Sequence, residues 1–123
     1  MRVSVTGDIP ETPALSELEQ AVLKVALPAG DADWQAQLAQ AEVVSRTYSG
    51  VGFMTRLRLP PGAPKADAAV RLGAVAGTHQ ALPGGAEFLV DVRDGRLHSL
   101  EAFCYDGMWP SDESGFQLAT KVP

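Results

Sequence analysis

The chain has 123 residues, 46% hydrophobic and 20% charged, an ordinary globular composition in which one core forms without a disulfide or a structural metal. Fifteen acidic residues stand against ten basic ones for a net charge of −5, and the arginines and lysines are dispersed along the sequence. Phosphate backbones and anionic lipid repel such a chain, so neither nucleic acid nor membrane is expected as a partner, while a basic protein or a cationic ligand stays open.

The lone Cys104 cannot close an internal disulfide and fits a reducing compartment. No stretch approaches the roughly 20 apolar residues of a membrane span, and Met1 to Pro10 holds no apolar signal core, so the expected location is cytoplasmic.

Val3 and Val5 make a short alternating stretch readable as an edge strand or a frayed end. Thr12-Pro13 has the form of an N-cap followed by proline, and Ser16 with Glu19 offers a second, capping-box start. Leu15, Leu18, Val22 and Val25 then share one side of a helical period, with Glu17, Glu19, Gln20 and Lys24 elsewhere. The pattern predicts an amphipathic helix lying on a core and ended by Pro28 and Gly30. Asp31 or Asp33 caps a shorter second helix through Trp34 and Leu38.

From residue 42 the period changes to two. Val44, Arg46 and Tyr48 alternate with Val43, Ser45 and Thr47, and after Ser49-Gly50 the residues Phe53, Thr55, Leu57 and Leu59 alternate with Met54, Arg56 and Arg58, predicting two paired strands. Pro60, Pro61, Gly62 and Pro64 make an exposed loop, and a weak strand or a turn of helix follows near Val70 to Val75.

Asp94-Gly95 is the strongest local signal, because a type I′ hairpin turn needs positive φ at both central residues. It joins a strand over Glu87 to Arg93 to one over Arg96 to Cys104. One-for-one pairing from that turn sets Asp91 opposite His98, Leu89 opposite Leu100 and Phe88 opposite Glu101. Glu101 then shares a face with Phe88, Val90, Val92, Leu97 and Phe103, while Leu89, Leu100, Ala102 and Cys104 lie on the other face. The tip is expected to protrude and the base to be covered on both sides. Asp106-Gly107 closes the second strand, Ser111 to Gly115 is a polar loop, and Phe116, Leu118, Thr120 and Val122 alternate as a terminal strand. Helices first and antiparallel strands afterwards predict an α+β fold of one domain over 1–123, with N-terminal helices packed on one face of a mainly antiparallel sheet.

The candidate binding residues are Glu101, Tyr105, Asp106, Trp109 and Tyr48. A carboxylate at 101 among aromatic side chains has its pKa raised by desolvation, the condition for acid–base work. Tyr105, Asp106 and Trp109 cluster where the strand leaves the sheet, and Tyr48 joins them if the strands meet there. His98 opposite Asp91 has no nucleophile beside it and reads as a surface pair, and Cys104 as a small buried hydrophobe. Two histidines, His79 and His98, and one cysteine at no ligand spacing leave no zinc signature, and Gly50-Val51-Gly52 and Gly84-Gly85 lack the spacing of a phosphate loop. No cofactor and no metal is expected.

Tyr48-Ser49-Gly50-Val51-Gly52-Phe53, then Gly85-Ala86-Glu87-Phe88-Leu89-Val90 leading through Asp94-Gly95-Arg96-Leu97, and finally Leu100-Glu101-Ala102-Phe103-Cys104-Tyr105-Asp106 with Trp109-Pro110 resemble a bacterial family of small uncharacterised proteins. The resemblance spans roughly the second two-thirds of the chain and implies no catalytic residues. Three functions stay open. The first is a non-enzymatic interaction module, a partner or antitoxin-like binder whose acidic surface meets a basic protein. The second is a small enzyme or ligand-binding domain with a pocket around Glu101, Tyr105 and Trp109, and the third is a homodimer with a self-complementary sheet.

Overall fold

The structure, a computed structural model, describes residues 14–67, 72 and 74–120. The features expected at Val3, Val5, Thr12-Pro13, Val70 and Val122 lie outside the described residues. Two helices, α1 (Glu17–Ala26) and α2 (Ala32–Gln40), precede a sheet of six strands: β1 (Glu42–Tyr48), β2 (Gly52–Arg58), β3 (Val75–His79), β4 (Leu82–Arg93), β5 (Arg96–Cys104) and β6 (Gln117–Thr120). Their order is β1-β2-β5-β4-β3-β6, with every neighbouring pair antiparallel. The helices lie against one face of the sheet, so the fold is α+β as predicted.

The capping box starts α1: Ser16 Oγ accepts from the Glu19 amide at 3.0 Å, and a Glu19 carboxylate oxygen accepts from the Ser16 amide at 2.8 Å. Leu18, Val22 and Leu23 are buried on its core side. Asp31 caps α2 by accepting from the Asp33 and Trp34 amides, and α2 buries Trp34 and Gln37 completely. On the sheet side Val43, Phe53, Leu57, Val75, Leu82, Ala86, Phe88, Leu97 and Leu100 complete the core. The weak signal near residue 75 resolves as strand, with β3 held between β4 and β6.

The β4–β5 turn has positive φ at both Asp94 (53°) and Gly95 (73°), as a primed two-residue turn requires. Its tip does not protrude. Gly95 is buried, its carbonyl accepts from the Ala66 amide at 2.9 Å, and Gln37 Nε2 donates to the same carbonyl at 2.7 Å. Gln37 also donates to the Pro64 carbonyl and accepts from the Leu97 amide, so one buried amide side chain pins the hairpin and the proline loop to α2.

From the turn the pairing begins as expected, Arg93 with Arg96 and Val92 with Leu97, and then shifts by one residue. Asp91 pairs with Ser99 rather than with His98, Val90 with Leu100, Leu89 with Glu101, and Phe88 with Ala102. His98 is the extra residue of a β-bulge, and because strand side chains alternate, everything beyond it changes face. Leu100, Ala102 and Cys104 therefore point into the core, and Glu101 is exposed on the opposite face. Burial explains the choice. The unshifted register would place a carboxylate in the core at several kcal/mol and leave Leu100 in water at a further loss of about 1.5–3 kcal/mol. The face away from the helices is open at the base of the hairpin, where Leu89 is 40% and Met54 39% exposed, so covering on both sides is also overturned.

Gly95→Val should be strongly destabilising. A Cβ at Gly95 would lie 2.3 Å from the Ala66 carbonyl oxygen. The loss in urea unfolding should therefore exceed the roughly 1–2 kcal/mol that a left-handed side chain costs by itself. A loss at or below that range would show that the tip is not docked on residues 65–66.

Candidate functional site

Glu19 has a relative exposure of 1% although it is ionisable. One carboxylate oxygen accepts from Arg46 Nη2 at 2.7 Å and from the Ser16 amide of the capping box, and the other from Arg46 Nε at 2.9 Å and Thr55 Oγ1 at 2.5 Å. Burial by itself pushes this carboxyl up, but hydrogen bonds from Arg46, Thr55 and Ser16 and the Arg46 charge together outweigh it and hold the carboxyl below its ordinary value. Arg46 is reciprocally held in its charged form by the bonds to Glu19. Four donated bonds satisfy the carboxylate, so it is a structural tie from α1 to β1 and β2 rather than a proton carrier.

A recess of about 340 Å³ opens next to this tie, walled by Tyr48, Gly50, Met108, Trp109, Pro110 and Glu113. Gly52 lets the β1–β2 turn close onto β5, since any Cβ there would overlap the Ala102 carbonyl, and the turn then holds the loop after β5 through Trp109 N–H to Gly50 O at 2.8 Å. Trp109 stacks on Phe116 with centroids 5.0 Å apart and meets Phe53 and Phe88 edge-on. Tyr48 packs against Phe53 at 5.5 Å. Core rings thus fix the two aromatic walls.

Both walls donate to one carboxylate oxygen. Trp109 Nε1 donates to Glu113 Oε2 at 2.8 Å, and the Tyr48 hydroxyl donates to the same oxygen at 3.4 Å. Burial first, and then the Glu113 charge, push the Tyr48 hydroxyl above its ordinary pKa. The recess is therefore aromatic on its sides and anionic at one end. Tyr48 is 55% and Met108 69% exposed at its mouth.

Of the five candidate residues, the fold brings Tyr48 and Trp109 together and separates the other three. Glu101 sits on the open face of the sheet between Met54 and Leu89. Tyr105 donates its hydroxyl to Glu87 and packs edge-on against Phe103. Asp106 is exposed beside Gly84. The pocket around Glu101, Tyr105 and Trp109 does not form, and the cause is the His98 bulge.

Sequence reasoning missed Glu113, Met108, Arg46 and Glu19. Strict alternation sets Arg46 in phase with exposed Val44 and out of phase with buried Val43, and the register shift between Val43 and Ser45 turns it inward, while Glu113 stood in what read as a polar loop. His79 is satisfied structurally: Nδ1 accepts from the Ala81 amide, so Nε2 carries the proton and donates to the Asp112 carbonyl at 2.8 Å. Cys104 is buried as expected. Among the described residues no group of three or more His, Cys, Asp or Glu side chains could hold a metal. No helix of the described residues is long and apolar enough to cross a membrane. No family model matches the chain, and neither a curated protein nor a solved structure matches it.

Glu19→Gln removes the charge that Arg46 faces and should cost about 3 kcal/mol at neutral pH, the low end for breaking a buried pair because Arg46 is partly exposed. The depressed folded value means that the unfolded chain binds the proton more readily, so the contribution is complete above the ordinary 4.5 and is lost as acidification proceeds below it. Urea unfolding from pH 7 to pH 3 should show the gap between wild type and variant closing in that acid window. A constant gap would contradict the assignment.

Proposed function

We propose that this chain is a non-enzymatic protein-interaction module that receives a lysine or arginine side chain of a basic partner between Tyr48 and Trp109. The observation that carries the reading is the Glu113 carboxylate flanked by two rings that the core holds in place. A cation between aromatic faces gains from both ring quadrupoles and from a carboxylate at the end of the site. The charge of Arg46, which also acts on Glu113, is already matched by its ion pair with Glu19.

An extended partner segment suits the surroundings better than a small molecule. A second recess of about 430 Å³, bounded by Glu17, Leu18, Ala21, Phe116 and Leu118, shares Glu113 with the first. Together they form a shallow path with an acidic residue in each part. The net charge of −5 favours encounter with a basic chain. The enzyme reading has less support, because the fold separates Glu101 from Trp109 and the Tyr48 hydroxyl beside Glu113 is held above its ordinary pKa, the opposite of an activated nucleophile.

Hexa-arginine amide titrated at low salt should change the fluorescence of Trp109 saturably, with hexa-glutamate giving no change. Glu113→Gln should weaken binding by about tenfold or more, a loss of about 1.4 kcal/mol. Glu101→Gln, the same charge change on the open face of the sheet, should leave it unchanged. Equal weakening by both variants would mean that net charge alone attracts the peptide, and the recess would lose its role.

A further inference from the structure

We infer a second binding site at the opposite end of the sheet, a cleft that takes a compact, multiply charged phosphoryl anion. The ladder between β2 and β5 ends at Arg56 opposite Ser99, although both strands run on. Beyond that pair the two chains separate, and a cleft of about 330 Å³ lies between residues 57–61 on one side and Arg93, Arg96, Leu97 and His98 on the other. Three arginines line it, Arg58, Arg93 and Arg96, together with the His98 imidazole. Among the described residues no carboxylate lines it directly.

Two of the guanidiniums are positioned from behind. Arg58 Nε donates to Glu42 at 3.1 Å and Arg93 Nε donates to Asp91 at 3.0 Å, and among the described residues neither makes another side-chain hydrogen bond. The Nη groups of both are left as donors, in the planar fork that suits phosphoryl oxygens. Nearby Asp94 is matched by Lys65 at 2.7 Å. Arg96 makes no ion pair among the described residues, although its charge also acts on Asp94, and Arg56, two positions from Arg58 on the same face, adds positive charge. The sequence hid this grouping because its members come from three strand ends.

The bulge supplies an independent observation. Bulges re-aim side chains, and the residue inserted here is His98, which the extra step places on the cleft wall. The ligand is a small anion rather than a polynucleotide. The cleft is at the lower limit of small-molecule sites, and a long polyanion would meet the net negative charge of the whole chain. The site shares no residue with the recess at Tyr48 and Trp109 and does not depend on the function proposed for it.

Sodium pyrophosphate titrated into the labelled protein at low salt is the test, read by amide and arginine Nε shifts. Shifts at 57–61 and 93–98 should saturate with one dissociation constant. Arg96→Gln, at an exposed position, should weaken binding about tenfold with its remaining spectrum unchanged, as loss of a charge-assisted contact implies. Lys24→Gln, on α1, should not alter it. Shifts that grow linearly with concentration, equal weakening by Lys24→Gln, or tighter binding of a single-stranded oligonucleotide than of pyrophosphate would overturn the inference.

Discussion

The two-for-one step at His98 governs which side chains of the central hairpin are inside. A strand has no intermediate setting: shifted by one residue, it exchanges its two faces entirely. With the bulge, Leu100 and Ala102 meet Phe53, Thr55 and Phe88 from the neighbouring strands, and Glu101 faces water. Both recesses follow from this. The end of β5 leaves the sheet with Cys104 inward, so the following loop folds back over the β1–β2 turn and lays Trp109 against Phe53 and Phe88. The same step puts His98 among the arginines at the other end.

Glu19 is the second constraint, and it works through charge rather than shape. A helix on a sheet is held mainly by non-directional apolar contact, which permits sliding and rotation. A carboxylate that takes both forks of Arg46 and the hydroxyl of Thr55 fixes α1 along and across β1 and β2. The tie stands beside Tyr48, so the helix position and the anionic recess are set by adjacent residues of one strand.

Features with a local cause were legible in the sequence. The capping box needs only Ser16 and Glu19, the turn needs only Asp94-Gly95, and the alternation from 53 to 58 is written in consecutive residues, whereas an irregularity between Val43 and Ser45 breaks the alternation expected in β1. What could not be read depends on distant groups. The bulge is chosen by burial against β2, and β3 has an Ala-Gly pair at its centre with little strand preference of its own, so pairing on both sides makes it a strand. Tyr48 and Trp109 were legible as contact residues, but Glu113 becomes meaningful only when a loop after β5 closes on a turn before β2.

Thiol reactivity tests the bulge most directly, because the two registers exchange positions 101 and 104. In native protein carrying Cys104→Ala, a cysteine introduced by Glu101→Cys should react with an aromatic disulfide reagent at close to the rate of an unfolded thiol, while wild-type Cys104 should stay protected until the protein unfolds. Protection at 101 together with ready reaction at 104 would restore one-for-one pairing from the turn and contradict the account.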